Sequence, residues 1–240
     1  MPDAEPVFLL WVYLQEQPLT WLTLTVAAYA LADRVALKLG RHPAANPVVV
    51  AALLVIAALA ITGTPFRQYF EGAQFVHFLL GPAAVALAVP LVENWEKVKR
   101  SALPIIAALV SGSVVATGSV VAVGWALGLP REVLVSLAPK SVTTPIAMGI
   151  SSELGGIASL TAVMVIATGI IGAIAVTPLM NALRIKDMEA RGFAAGVAAH
   201  GIGTARAFQV NPIAGTFAGI GMALNGALTA LLVPLLIALL

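Results

Sequence analysis

Ala138-Pro139-Lys140-Ser141-Val142-Thr143-Thr144-Pro145-Ile146-Ala147 sets a lysine, three hydroxyls and two prolines inside a chain that is 60% hydrophobic and only 10% charged. Such a stretch does not cross a bilayer as an idle helix. Proline removes backbone donors and frees carbonyls that hydrocarbon cannot satisfy, so broken backbone at membrane depth survives only where protein or a wet cavity surrounds it. The segment reads as the wall of a substrate site.

The rest of the chain supplies the membrane. No Asp, Glu, Lys or Arg occurs between Pro43 and Phe66, between Ser101 and Pro130, or from Ala207 to Leu240. Uncharged apolar runs longer than roughly 18 residues mark transmembrane helices, so the fold class expected is an all-α polytopic membrane protein. A net charge of +2 with no basic stripe excludes a nucleic-acid partner. Zero cysteines exclude disulfides and thiol chemistry, and the scattered His42, His77 and His200 give too few ligands for a zinc site. Asp3 and Glu5 stand where a cleaved signal peptide would carry positive charge. Neither cofactor nor metal is expected.

About eight hydrophobic segments follow from the pattern, some discontinuous or re-entrant, in a transporter-like arrangement. They run at about 18–39, 47–63, 73–91, 102–127, 133–153, 157–183, 192–208 and 212–239. Asn46-Pro47 is a helix start, with a polar cap ahead of a proline in the first turn. Gly81-Pro82 splits the third segment into two half-helices. Gly215 and Gly219 in the last segment suit close helix packing, within the chain or across a dimer seam. The chain is expected to form one domain over 1–240, with scaffold-like early helices at 18–72 and the broken helices at 73–240.

Cytoplasmic loops are enriched in Lys and Arg. Arg34, Lys38 and Arg41, and then Lys97, Lys99 and Arg100, place the N-terminus outside. Arg184, Lys186 and Arg191 return to the cytoplasm only if the fifth segment goes back to the side it entered from. A trace of repetition links Leu80-Gly81-Pro82-Ala83-Ala84-Val85 to Leu137-Ala138-Pro139-Lys140-Ser141-Val142, and Val114-Val115-Ala116-Thr117-Gly118 to Val165-Ile166-Ala167-Thr168-Gly169. Repeated units with paired broken helices are how many transporters place a site at the bilayer midplane.

Leu80 to Pro90, Pro139 to Ala147, Leu154-Gly155-Gly156 and His200-Gly201-Ile202-Gly203-Thr204-Ala205-Arg206 resemble, in order, the motifs of the LrgB/CidB family over nearly the whole chain. That family comprises bacterial membrane proteins described as holin- or antiholin-like regulators of murein hydrolase export, and its plant relatives include the plastidial glycolate/glycerate translocator. The resemblance implies a cell-membrane carrier for small 2-hydroxycarboxylates, or a holin-like component affecting lysis. Partners expected on this basis are a small anionic carboxylate, the lipid bilayer, a second copy in a homodimer, and a separate small LrgA/CidA-like membrane protein.

Physical chemistry favours the carrier. A charge held at membrane depth must face a cavity or a partner. Lys140, read as lying in the first turn of a half-helix, would meet a carboxylate together with helix-end N–H groups and the hydroxyls of Ser141, Thr143 and Thr144. Arg206 offers a planar fork for the same ligand, and Gly201 and Gly203 allow close backbone approach beside Thr204. His200 offers an imidazole for a hydroxyl or for proton coupling. Glu153, before Gly155-Gly156, reads as a turn carboxylate, and His77 as structural. Ser141 beside Lys140 is not read as a hydrolytic pair, because sequence neighbours on a helix diverge, and no enzyme is expected.

Overall fold

The computed structural model describes residues 13, 14, 16–42, 45–79, 82 and 92–239. Among them every regular element is an α-helix. They group into two compact units, one up to residue 86 and one from residue 87.

In the first unit, α1 (Pro18–Lys38), α2 (Pro47–Thr62) and α3 (Phe66–Phe78) pack together. Asn46 starts α2 as expected, its side chain accepting the Val48 N–H at 2.9 Å. Ala28, Ala32, Ala51 and Val55 form the α1–α2 seam, where small side chains bring the two backbones close. The α3 helix lies across the start expected for the third segment. Arg67 was expected in a loop ahead of that segment, yet the helix already contains it, and Tyr69 holds the helix to α1, edge-on to Trp21 with centroids 6.1 Å apart and with its hydroxyl 3.1 Å from Thr25 Oγ1. The expected break at Gly81-Pro82 and the first copy of the hexapeptide repeat, Pro82 apart, lie outside the described residues, as does the His77 side chain.

The second unit holds the polar signatures. A short helix, α4 (Trp95–Arg100), precedes the long α5 (Ala102–Ala126). The fifth segment is split into α6 (Arg131–Leu137) and α7 (Thr144–Glu153), and α8 (Ala158–Ala182) follows as one span. Met188–Val210 is then broken within itself, at Ala199 (φ −133°, ψ 19°) and His200 (φ 39°, ψ −134°), into halves termed α9a and α9b. The chain ends in α10 (Pro212–Ile237). Three of these helices, α5, α8 and α10, are long and apolar enough to cross a membrane.

Contacts fix the directions. Along α5 and α10, Ile105 clusters with Phe217, Ser113 bonds Asn225, and Val121 clusters with Val233, always at the same offset of 112, so the two helices run parallel. Arg131 Nη2 donates to Ile237 O at 3.3 Å and Ser141 meets Asn225, so α6 travels down α10 from its C-terminal end. Ile146 then meets Gly226, and Ile150 and Leu154 pack against the cluster that holds Val233 and Ile237 toward the end of α10, so α7 travels back the same way. Segment five is a re-entrant hairpin. The second break has the opposite sense: Gly192 and Gly196 abut the backbone of Ala214 and Ala218, so α9a runs parallel to α10, whereas Thr204 reaches Met222 and Phe208 covers Gly215, so α9b returns antiparallel.

Two hairpins therefore enter the unit from opposite ends. Ser101, before α5, shares a groove with Asp187 and Glu189 at the start of α9a, so Lys97–Arg100 and Arg184–Arg191 occupy one end of the unit, as the charge pattern required. The echo between residues 114–118 and 165–169 pairs α5 with α8, each preceding a hairpin and running in opposite directions. Gly215 serves a contact inside the chain, under the Phe208 ring.

Gly196 has no room for a side chain, because a Cβ there would collide with the carbonyl of Ala218. Backbone cannot give way as a rotamer can. Gly196→Val is expected to cost about 3 kcal/mol, the upper part of the overpacking range, and to lower the thermal midpoint in detergent by roughly 6–12 °C, read by tryptophan fluorescence.

Candidate functional site

The tips of the two hairpins meet on α10 and α8, and a single amide ties them. Asn225 is fully buried in a helix that carries no charge. Its Nδ2 donates to the Ser141 carbonyl and hydroxyl oxygens, each at 3.3 Å, and to Val197 O at 3.0 Å, while its Oδ1 accepts from Ser113 Oγ at 2.6 Å and Thr229 Oγ1 at 3.3 Å. One side chain thus joins the first tip, the second tip and α5. Val197 O lies in the turn that the break at Ala199-His200 interrupts, which is why an external donor is needed there.

A second junction sits on α8. His200 is 3% exposed, its Nε2 stands 2.9 Å from Val165 O, and Val165 itself packs against Val142 and Ala147 of the first hairpin. Gly169 makes space for the imidazole, since a Cβ there would lie 2.7 Å from ring Cε1 and Nε2. The left-handed φ of His200 is costly for a residue with a side chain, by about 1–3 kcal/mol. The ring's anchorage to α8 holds it in place.

The site residues expected from the sequence divide between this junction and other roles. Lys140 and Ser141 occupy the turn between α6 and α7, not a first helical turn, because the second half-helix begins only at Thr144 and Val142 N bonds back to Pro139 O. Ser141 is buried against Asn225, whereas Lys140, Thr143 and Thr144 are half-buried at the tip. Thr143 is the N-cap of α7 but makes no side-chain cap bond, which leaves the opening N–H groups of α7 to other acceptors. Thr204 spends its hydroxyl on His200 O at 2.8 Å. Gly203 lets the two arms of the second hairpin touch, a Cβ there standing 2.6 Å from Ala195 O, whereas a Cβ at Gly201 would meet Met222 Sδ at 3.9 Å, an ordinary contact.

Arg206 is not at the tip. It lies along α9b toward the base of its hairpin, in a small cavity with Val176, Thr177, Met188 and Arg191, and its Nη1 is 3.5 Å from Gln209 Oε1. Pairing with Lys140 on one ligand is therefore not what this arrangement brings about. Glu153 ends α7 at the far base of the first hairpin, exposed and just ahead of the left-handed Gly155, as a turn carboxylate should be.

A groove of about 730 Å³ runs between α5 and α9a. Asp187 and Glu189 stand at its mouth, Ile105, Phe193 and Phe217 line it, and it reaches Gly112 and Ala198, the neighbours of Ser113 and Ala199 at the junction. Ser113, Asn225 and Val165 were missed in the sequence reading. The signal for Asn225 was present: a lone amide in a 26-residue span without a charge is expensive in lipid and asks for partners.

Taken together, the fold and the junction define an all-α, multi-pass membrane protein built on two opposed re-entrant hairpins. The chain belongs to the LrgB-like family, whose model matches residues 25–239. It is 34% identical to a protein of Staphylococcus aureus strain Mu50 named holin-like protein CidB, over 92% of this chain and 96% of that one. A Staphylococcus epidermidis protein of the same name is 30% identical over the same shares, and the uncharacterized protein YxaC of Bacillus subtilis strain 168 is 34% identical over 90% of this chain and 94% of its own. No solved structure matches the chain.

Proposed function

We propose that the chain is a carrier of the cell membrane for small 2-hydroxycarboxylates such as glycolate or glycerate, working by alternating access with proton coupling. The observation that carries this reading is the meeting of two oppositely directed hairpin tips on Asn225. Broken helices that face each other at mid-depth present helix N-termini to anionic groups and freed carbonyls to cations, and one half rocking against the other exposes the site to each side in turn. The α7 N-terminus and Lys140 share the first tip, which suits a carboxylate. The groove along α5 and α9a is the approach from the Lys97–Arg100 end. A homodimer and a separate small LrgA/CidA-like partner belong to the same proposal.

The relatives' names favour a second reading. Proteins called holin-like fit a holin/antiholin-type membrane component, one that modulates murein hydrolase export and lysis, better than they fit a carboxylate carrier. Uptake of radiolabelled glycolate into proteoliposomes separates the two. A carrier gives saturable uptake, and Lys140→Ala weakens the apparent affinity about ten- to hundredfold, the value of one charge-assisted contact. A holin-like pore instead leaks unrelated solutes of similar size, with no saturation and no response to Lys140→Ala.

A further inference from the structure

Hydroxyls on the apolar helices of this protein follow one habit, bonding back to the carbonyl four residues earlier. Thr25, Thr62, Ser111, Ser136, Thr168 and Thr216 all do so, at 2.6–3.0 Å. Four fully buried hydroxyls depart from it: Ser151 on α7, which accepts from Thr161 Oγ1 at 2.8 Å, and three that lie together on the α5–α10 seam. Ser113 and Thr229 turn to Asn225 Oδ1, and Thr117 Oγ1 has no hydrogen-bond partner at all although its residue is 0% exposed. Thr168, which holds the corresponding place in the echo of this stretch on α8, bonds Met164 O at 2.7 Å. An orphaned hydroxyl in a dry seam costs about 1–3 kcal/mol. Its orientation therefore asks for a ligand.

The register shows what surrounds it. Ser113 pairs with Asn225 and Val121 packs with Val233, so Thr117, on the same face between them, stands opposite Thr229. Ala138 packs with Val121 and Ser141 bonds Asn225, which puts Thr117 at the level of the first hairpin tip, where the helix break leaves backbone carbonyls. We propose that this seam is a binding site for a small monovalent cation of the size of Na⁺, held by the oxygens of Thr117, Ser113, Thr229 and Asn225 and by a tip carbonyl.

The donor set selects the ion. Uncharged hydroxyl, amide and carbonyl oxygens are hard ligands that reject soft transition metals. With no carboxylate in the set, nothing offsets a second positive charge, so divalent ions are excluded. When the ion enters, the Ser113, Thr117 and Thr229 hydroxyl protons turn to their own preceding-turn carbonyls, the arrangement used by the other hydroxyls. The ion then sits where the first tip, α5 and α10 meet, so occupancy favours the closed junction. The site stands whether or not the chain carries a carboxylate.

The test reads binding directly. The thermal midpoint of the purified full-length protein in detergent is followed during titration with NaCl against choline chloride at constant ionic strength. Wild type is expected to be stabilised by NaCl with a saturable dependence, Thr117→Ser to keep that response, and Thr117→Val to weaken it about tenfold or more while unfolding in choline no earlier than wild type. The proposal is overturned if NaCl and choline chloride act alike on wild type, which would make Thr117 an orphan or the host of a water. It is equally overturned if Thr117→Val keeps the wild-type sodium response.

Discussion

Single cysteines at Glu132 and Glu153 will react with a membrane-impermeant maleimide from one face of the membrane, and those at Lys186 and Val210 from the opposite face, each all or none. The chain has no native cysteine, so each label reports one position without background. All four residues stand near the bases of the hairpins: Glu132 and Glu153 are exposed in the first turn of α6 and at the end of α7, Lys186 is exposed just before α9a, and Val210 is exposed as the last residue of α9b. The expectation rests on the antiparallel courses of α6 and α7 along α10, Arg131 bonded to Ile237 O on the way in and Leu154 packed against the cluster that holds Val233 and Ile237 on the way out. A segment of 23 residues crossing as a helix would extend about 35 Å at 1.5 Å per residue, enough to span. Were either hairpin such a span, its two cysteines would label from opposite faces and the opposed-hairpin architecture would fail. With Lys97–Arg100 and Arg184–Arg191 at one end, the Lys186 and Val210 positions should be the cytoplasmic pair.

Much of this architecture was legible in the residues, for identifiable reasons. The long spans announced themselves because α5, α8 and α10 have no charge to interrupt them, and observed bounds of Ala102–Ala126, Ala158–Ala182 and Pro212–Ile237 differ by a residue or two from those expected. Pro139 and Pro145 disclosed the first break, and loop charges required its return to the same side. The second break was harder to see. Nothing forbids a helix through Ala199 and His200 locally; the reversal is imposed from outside, by α10 pressing on Gly192 and Gly196 and by Gly169 receiving the imidazole. The closeness of Arg206 to His200 in sequence does not bring it to the ligand, because a helix restarting at Gly201 carries position 206 more than a turn toward the base. The hub was passed over for a different reason. Charges in apolar segments draw the eye, while Asn225, Ser113 and Thr117 are neutral, and their importance appears only when tertiary packing excludes water from all three.

Asn225→Leu will do more damage than loss of any one of its partners. Leucine matches the amide roughly in volume, so the change removes hydrogen bonds with little cavity formation. Interhelical hydrogen bonds in membrane proteins average about 0.6 kcal/mol each by double-mutant cycles, and a buried group left without its partner adds about 1–3 kcal/mol. Removing the amide strips the Ser141 and Val197 carbonyls of an external donor, and it takes the acceptor from Ser113 and Thr229. The hydroxyls can fall back on their own helices, as Thr168 does. The carbonyl at the helix break cannot, because the donor it lost with the break does not return. A total of about 2–4 kcal/mol is expected on this basis, against about 0.6 kcal/mol for Ser113→Ala, which removes one spoke and leaves both tips held. The two variants also differ in what they release. Ser113→Ala should loosen only α5, whereas Asn225→Leu should free both hairpin tips at once, and hydrogen exchange should rise at residues 138–143 and 197–201 together. Exchange rising at one tip alone would mean that Asn225 braces a single hairpin, and the coupling of the two through one amide would have to be abandoned.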